Sequence, residues 1–201
     1  MNFINKLEWK ISSYIEWAFQ KATLLTFHNL EHTSNVVTQV EKLCRAYDLD
    51  ENTTLNMKVA AWFHDVGICA SYTNHEEESI AIMEDYLSKL RNTHAIDRKF
   101  VSDLIMVTKM PQEPQNLYEQ IICDADLSHL GHANYLLWLS NLRIEWEEVL
   151  GKTWTDEDWT NFNLEFLDQH EFHTQKARIW FSMIKEYHKE QLRQQNLVPI
   201  H

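Results

Sequence analysis

Three glycines and three prolines are all that 201 residues contain. Sheet-rich and Rossmann-type folds consume glycine at turns and phosphate loops, so this scarcity restricts the chain to helices joined by short connections. The apolar spacing agrees. Phe3, Leu7, Ile11, Tyr14, Ile15, Ala18 and Phe19 recur at intervals of three and four and predict a helix over residues 3–25. Further helices are predicted over about 29–47, 51–64 and 95–110, with one or two short ones in 117–131 and long ones over about 132–150, 156–170 and 173–195. Another starts at "NHEEESIAIMEDYLSKL", where Asn74 followed by Glu77 fits a capping box. "DLDEN" and "TDED" supply further caps, Gly67 a helix end, and Pro111 and Pro114 a break. No repeat or linker interrupts the pattern. The expectation is an all-α fold, a single compact helical bundle over 1–201, with a motif-bearing core of about 24–150 and C-terminal helices of about 151–197.

A hydrophobic fraction of 44% supplies a core without disulfides. Cys44, Cys69 and Cys123 form no C-x-x-C pair and read as reduced thiols, which points to the cytoplasm. The opening "MNFINKLEWKISS" lacks the apolar run of a signal peptide, and no segment approaches the ~18 apolar residues of a membrane span. A net charge of −12 counts against a nucleic-acid polymer or an anionic membrane as partner. It does not count against a small phosphate ester held through a metal ion, because a local cation overrides the global field. Of the eleven histidines, His188 and His201 sit in exposed-looking contexts.

The stretch "FHNLEHTSNVV" puts His28 and His32 one helical turn apart on one face. Such a pair is also compatible with two partly exposed, hydrogen-bonded imidazoles. In "AAWFHDVG", His64 and Asp65 end an apolar helix, and a carboxylate there is unfavourable unless a cation offsets it. In "IICDADLSHLG", Asp124 and Asp126 interrupt an apolar run, which is costly unless they are paired or bound to metal. Asp124 alone would also serve as a helix cap. Imidazole and carboxylate donors together suit a divalent ion: Mn, Fe, Co, Ni, Zn or Mg.

The pieces "FHNLEH", "WFHDVG", "NHEEES", "VTK" and "CDADLSHLG", in that order over residues 27–131, resemble the HD-domain superfamily of metal-dependent phosphohydrolases. Within it the chain is similar to the small, stand-alone predicted metal-dependent HD phosphohydrolases, and the later "NLRIEW" also resembles that group. The resemblance implies a helical bundle with the metal among its central helices and His32, His64, Asp65 and Asp126 as ligands. Asp126 is preferred to Asp124 because "CDADLSHL" resembles the "DLS" segment of cyclic-nucleotide phosphodiesterases, whose aspartate before Leu-Ser binds metal. Asp124 then caps a helix or orients a ligand. His28 matches the leading histidine of their "YHN…H" motif, with Phe27 in place of tyrosine, and is expected to act as general acid.

Asp65 has two oxygens and is suited to bridge a second ion, so one or two ions are expected. Glu76 and Ser79 match the group's "NE..S" segment, with His75 in place of asparagine. Glu76 against metal-bound water, or His75 as an added ligand, is one reading; a favourable acidic helix start is the other. Lys109 and Arg143 are candidate contacts to a substrate phosphate, or else solvated cations. The tryptophans read as core and rim, and most of residues 150–201 suggests no chemistry. The expected function is hydrolysis of a phosphomonoester or phosphodiester of a small molecule, a nucleotide among the candidates, by metal-activated water with His28 as acid and Asp65 and Glu76 assisting. The alternative is a non-catalytic metal- or nucleotide-binding sensor or interaction module on the same frame, which would have no need of a general acid.

Overall fold

Side-chain caps set where most of the helices begin. Asn29 Oδ1 accepts from Glu31 N at 2.9 Å and His32 N at 3.2 Å and starts α2 (Leu30–Ala46), which follows α1 (Phe3–Phe19). Asp50 caps α3 (Glu51–Phe63), Asp97 caps α5 (Arg98–Met106), Asn116 caps α6 (Leu117–Asp126) and Thr155 caps α8 (Asp156–Gln169). The remaining helices are α4 (His75–Lys89), α7 (Tyr135–Leu150) and α9 (Gln175–Leu197). Short 3-10 turns at Val66–Cys69 and Leu127–Gly131 follow α3 and α6. The computed structural model describes residues 3–197; among them there is no strand, and the all-α expectation holds.

α2 packs against α3 and α6 at the centre of the molecule. There Val36, Val40, Leu43, Val59, Phe63, Ile121 and Ile122 are buried. Each contributes about 1.5–3 kcal/mol relative to exposure. The apolar cluster is continuous from Leu7 and Ile11 of α1 to Phe181 and Leu192 of α9. No described helix is long and apolar enough to cross a membrane.

Four local expectations need correction. The first helix stops at Phe19 and does not reach residue 25. The backbone N–H groups of Phe27 and His28 are instead drawn to Glu145 Oε2 at 2.8 and 2.9 Å, which pulls this segment across to α7. The capping box at Asn74 does not form. Asn74 sits at φ 55 without a side-chain cap, because Lys109 Nζ takes both would-be members, donating to Asn74 Oδ1 at 3.2 Å and Glu77 Oε1 at 2.6 Å. His188 is buried, with Nε2 2.8 Å from the carbonyl of His132. His201 lies outside the described residues.

The fourth correction concerns Gly67, which is no left-handed helix end: Gly151 is the glycine with positive φ. Gly67 is needed for close approach. A Cβ there would lie 2.0 Å from the His75 carbonyl oxygen and 2.5 Å from Ser79 N. Its N–H donates to Ser79 Oγ at 2.8 Å, and that hydroxyl donates to the His64 carbonyl at 2.8 Å, so Ser79 ties the turn after α3 to α4. Gly67→Ala forces two backbones apart. It is expected to destabilise by about 1–3 kcal/mol or more, read as a fall of several degrees in melting temperature by calorimetry. An unchanged melting temperature would contradict this packing.

Candidate metal centre

Three chain segments deliver the charged groups to the centre of the bundle. His32 comes from the first turn of α2, His64 and Asp65 from the residues just after α3, and Asp126 from the last turn of α6. His32 Nε2 lies 3.3 Å from His64 Nε2, 3.3 Å from Asp65 Oδ2 and 3.3 Å from Asp126 Oδ1. His64 Nε2 lies 3.0 Å from Asp65 Oδ2 and 3.5 Å from Asp126 Oδ1. Ligand atoms about 2.0–2.2 Å from one ion, in tetrahedral or octahedral arrangement, stand roughly 2.8–3.6 Å from their neighbours. All five separations fall within that range, and His32, His64 and Asp126 form a compact ligand group among the described residues.

Two further observations fit an ion here. Asp65 Oδ2 is buried with only the His64 and His32 Nε2 atoms beside it, at 3.0 and 3.3 Å and neither aligned as a hydrogen bond, and a buried carboxylate oxygen so placed is costly unless a cation meets it. The outer contacts also leave the inward atoms available. His64 Nδ1 faces the Ala61 carbonyl at 2.8 Å, which fixes Nε2 as the inward nitrogen, and Gln112 Nε2 donates to Asp126 Oδ2 at 2.8 Å, which leaves Oδ1 for the group. Adjacent residues His64 and Asp65 converge because the helix has ended: Asp65 stands at φ −107, ψ −1.

The electrostatics show what an ion would replace. Burial works against the charged forms of His64 and His32, yet the carboxylates of Asp65 and Asp126 more than offset it and raise both imidazole pKa values, that of His64 well above the ordinary range. Burial likewise opposes ionisation of Asp65 and Asp126, and the facing imidazoles overcome it and hold both carboxyls low. The metal-free centre therefore binds protons where the ion would sit, and binding metal must release them. Metal affinity is expected to fall as pH drops through the raised His64 pKa, by about tenfold per pH unit for one displaced proton. Titration calorimetry over a pH series checks this; a flat profile would exclude His64 as a ligand.

His28 is held apart from this group. Its Nδ1 is hydrogen-bonded to Glu145 Oε1, which also accepts from Tyr72 OH at 2.7 Å. Glu145 is fully buried. Burial opposes its charge, but His28, the Phe27 N–H and Tyr72 lower its pKa overall. Nε2 is left as the free nitrogen of a ring whose centroid lies 6.0 Å from that of His32.

His75 Nε2 lies 3.4 Å from the other oxygen of Asp65, Oδ1, and 3.4 Å from Oε1 of the buried Glu76. Lys109 lines the cavity onto which His28, His32, Asp65, His75 and Asp126 open, tied to Glu77 and Asn74. Arg143 does not line it. Glu147, Asp156 and the Trp154 carbonyl engage its guanidinium and join α7 to the start of α8. Asp124 is also elsewhere: its two oxygens accept from His173 N and Thr174 N, both at 2.7 Å, and so dock the start of α9.

Glu145, Tyr72 and His129 were not singled out from the sequence. Glu145 carried a signal, a carboxylate on the apolar stripe of Leu142, Trp146 and Val149. His129 is buried against Phe27 and His32, with Nδ1 3.1 Å from the Asp126 carbonyl, and burial pushes its pKa down to about 4.

A helical bundle that gathers two imidazoles and two carboxylates at its centre defines a divalent-metal frame. The HD domain family model matches residues 29–130, just over half of the chain, and the protein belongs to that family. The match takes in His32, His64, Asp65 and Asp126; His28, Glu145 and α8 lie outside it. No curated protein and no solved structure matches the chain.

Proposed function

We propose that the protein is a metal-dependent phosphohydrolase that cleaves a phosphomonoester or phosphodiester of a small molecule in the cytoplasm. The observation that carries this reading is His28, an imidazole fixed through Nδ1 by a fully buried carboxylate and set beside the His32, His64, Asp65 and Asp126 group. When bound, a divalent ion supplies Lewis acidity and a nucleophile at neutral pH. The chain does the rest. Attack by water oxygen forms one P–O bond as the ester P–O bond breaks. His28 Nε2 gives its proton to the departing oxygen, because an alkoxide is a poor leaving group. Glu145 and Tyr72 hold the ring in the required orientation. Glu76 and His75, at the far oxygen of Asp65, orient the attacking water, and Lys109 meets the phosphate at the rim. A non-catalytic sensor on the same frame would not need so firmly anchored an imidazole.

The test combines metal analysis with a panel of phosphatase and phosphodiesterase substrates, using Asp65→Ala as control. Bound metal with turnover that the control loses supports the enzyme. Bound metal with no turnover on any ester supports the sensor.

A further inference from the structure

The metal group occupies one end of a cavity of about 480 Å³. The other end is built by α7 and α8. Leu139, Leu142 and Trp146 recur at three and four residues along α7, and Phe162 and Phe166 lie one turn apart on α8, so each helix turns an apolar stripe to the same space. Trp154 and Trp159 pack against Phe162 and Trp146, yet Phe162 remains 37% exposed and Trp146 half-buried, so part of this aromatic surface is open to the cavity.

The charge distribution is equally specific. Among the described residues no arginine lines the cavity, and its single lysine, Lys109, already pairs with Glu77 at 2.6 Å. His28, His75 and Lys109 stand with the metal group or at the rim, whereas α7 and α8 offer the cavity no cation, so a chain of two or three phosphates reaching them would press against leucine and phenylalanine. The polar groups that α7 and α8 turn to the cavity are Tyr135, whose buried OH has no partner, and Asn163; these could serve one or two hydroxyls, and the rest of a sugar's would lose water against apolar side chains, which is unfavourable.

We infer that the substrate is an ester of a single phosphate whose alcohol or phenol portion is uncharged and largely apolar, with the phosphate at the metal group and the apolar portion between α7 and α8. This rests on the phosphohydrolase reading and narrows it: nucleoside di- and triphosphates and sugar phosphates are poor substrates. For a monoester, hydrolysis leaves inorganic phosphate and an apolar alcohol, and the substrate is the product of phosphorylating such an alcohol; for a diester, it leaves that alcohol and a phosphomonoester.

Non-hydrolysable probes test this without turnover. Methylphosphonate, benzylphosphonate, naphthylmethylphosphonate, and AMP and ADP as their methylene-substituted analogues (the 5′-phosphonate for AMP, the α,β-methylene compound for ADP) are titrated calorimetrically into the Mn²⁺-loaded protein and its Phe162→Ala variant. Naphthalenemethanol is titrated into the metal-free protein. Naphthylmethylphosphonate should bind at least about tenfold more tightly than methylphosphonate, the scale of hydrophobic-pocket discrimination. ADP should bind no better than AMP, naphthalenemethanol should bind without metal, and Phe162→Ala should remove most of the naphthyl preference. Phe162 is partly exposed and outside the metal group, so the variant should fold; an unchanged circular dichroism melt verifies it. Equal affinity for methyl- and naphthylmethylphosphonate, or tighter binding of ADP than AMP, overturns the inference while leaving phosphohydrolysis standing. Binding of naphthalenemethanol with no phosphonate binding and no ester turnover overturns the phosphohydrolase reading and, with it, the ester assignment.

Discussion

Asp126→Ala is expected to empty the metal centre and to lower turnover by more than about 10³-fold, since a catalytic ion supplies several kcal/mol of transition-state stabilisation. Asp126 Oδ1 stands 3.3 Å from His32 Nε2 and 3.5 Å from His64 Nε2, and no other side chain of α6 faces both. Its loss also leaves two buried imidazoles with one carboxylate fewer. Asp124→Ala makes the contrast. It leaves the N–H groups of His173 and Thr174 without their acceptor, so it should cost about 1–2 kcal/mol in stability, as loss of a cap does. It should keep the metal. Metal stoichiometry by mass spectrometry, beside a thermal melt, separates the two. Metal lost from the Asp124 variant and kept by the Asp126 variant would reverse the assignment.

The second large effect is at His28. His28→Ala should retain metal and slow turnover by roughly 10²–10⁴-fold, the usual contribution of a general acid. The loss should shrink for nitrophenyl esters, whose leaving group needs no proton. His32→Ala, one helical turn on, should instead lose the metal, and equal loss of metal from both variants would place His28 among the ligands. Glu145→Gln keeps the shape of the carboxylate but not its charge, so it should reproduce a weaker form of the His28 defect, about 10–100-fold, without touching metal content. Equal losses from His28→Ala on activated and unactivated esters, with metal retained, would make His28 a binding group.

The helices were legible because their signals are local. Spacing of three and four marked the inward faces, and the helices after Asp50, Asn116 and Thr155 begin where they were expected, while the one after Asp97 begins three residues later than its apolar pattern suggested. The capping box at Asn74 misled because Lys109, 35 residues away, competes for both of its members. Gly67 misled because its need is steric contact with α4 and not backbone handedness.

The sequence by itself determined an all-α chain with two imidazoles and two carboxylates set where only a cation or a tight pairing would tolerate them. Burial of charge is penalised whatever the neighbours, so the demand for a counter-charge can be read from one strand of text. Tertiary structure alone decided how the demand is met: that Asp126 joins His32 and His64 while Asp124, two residues before it, turns away to hold α9. It also decided that Glu145, 117 residues from His28 in the chain, anchors that imidazole. α8, which suggested no chemistry as sequence, closes the cavity with Phe162 and Phe166. Those choices depend on which helix faces meet, and long-range packing leaves no periodicity in the sequence to reveal it.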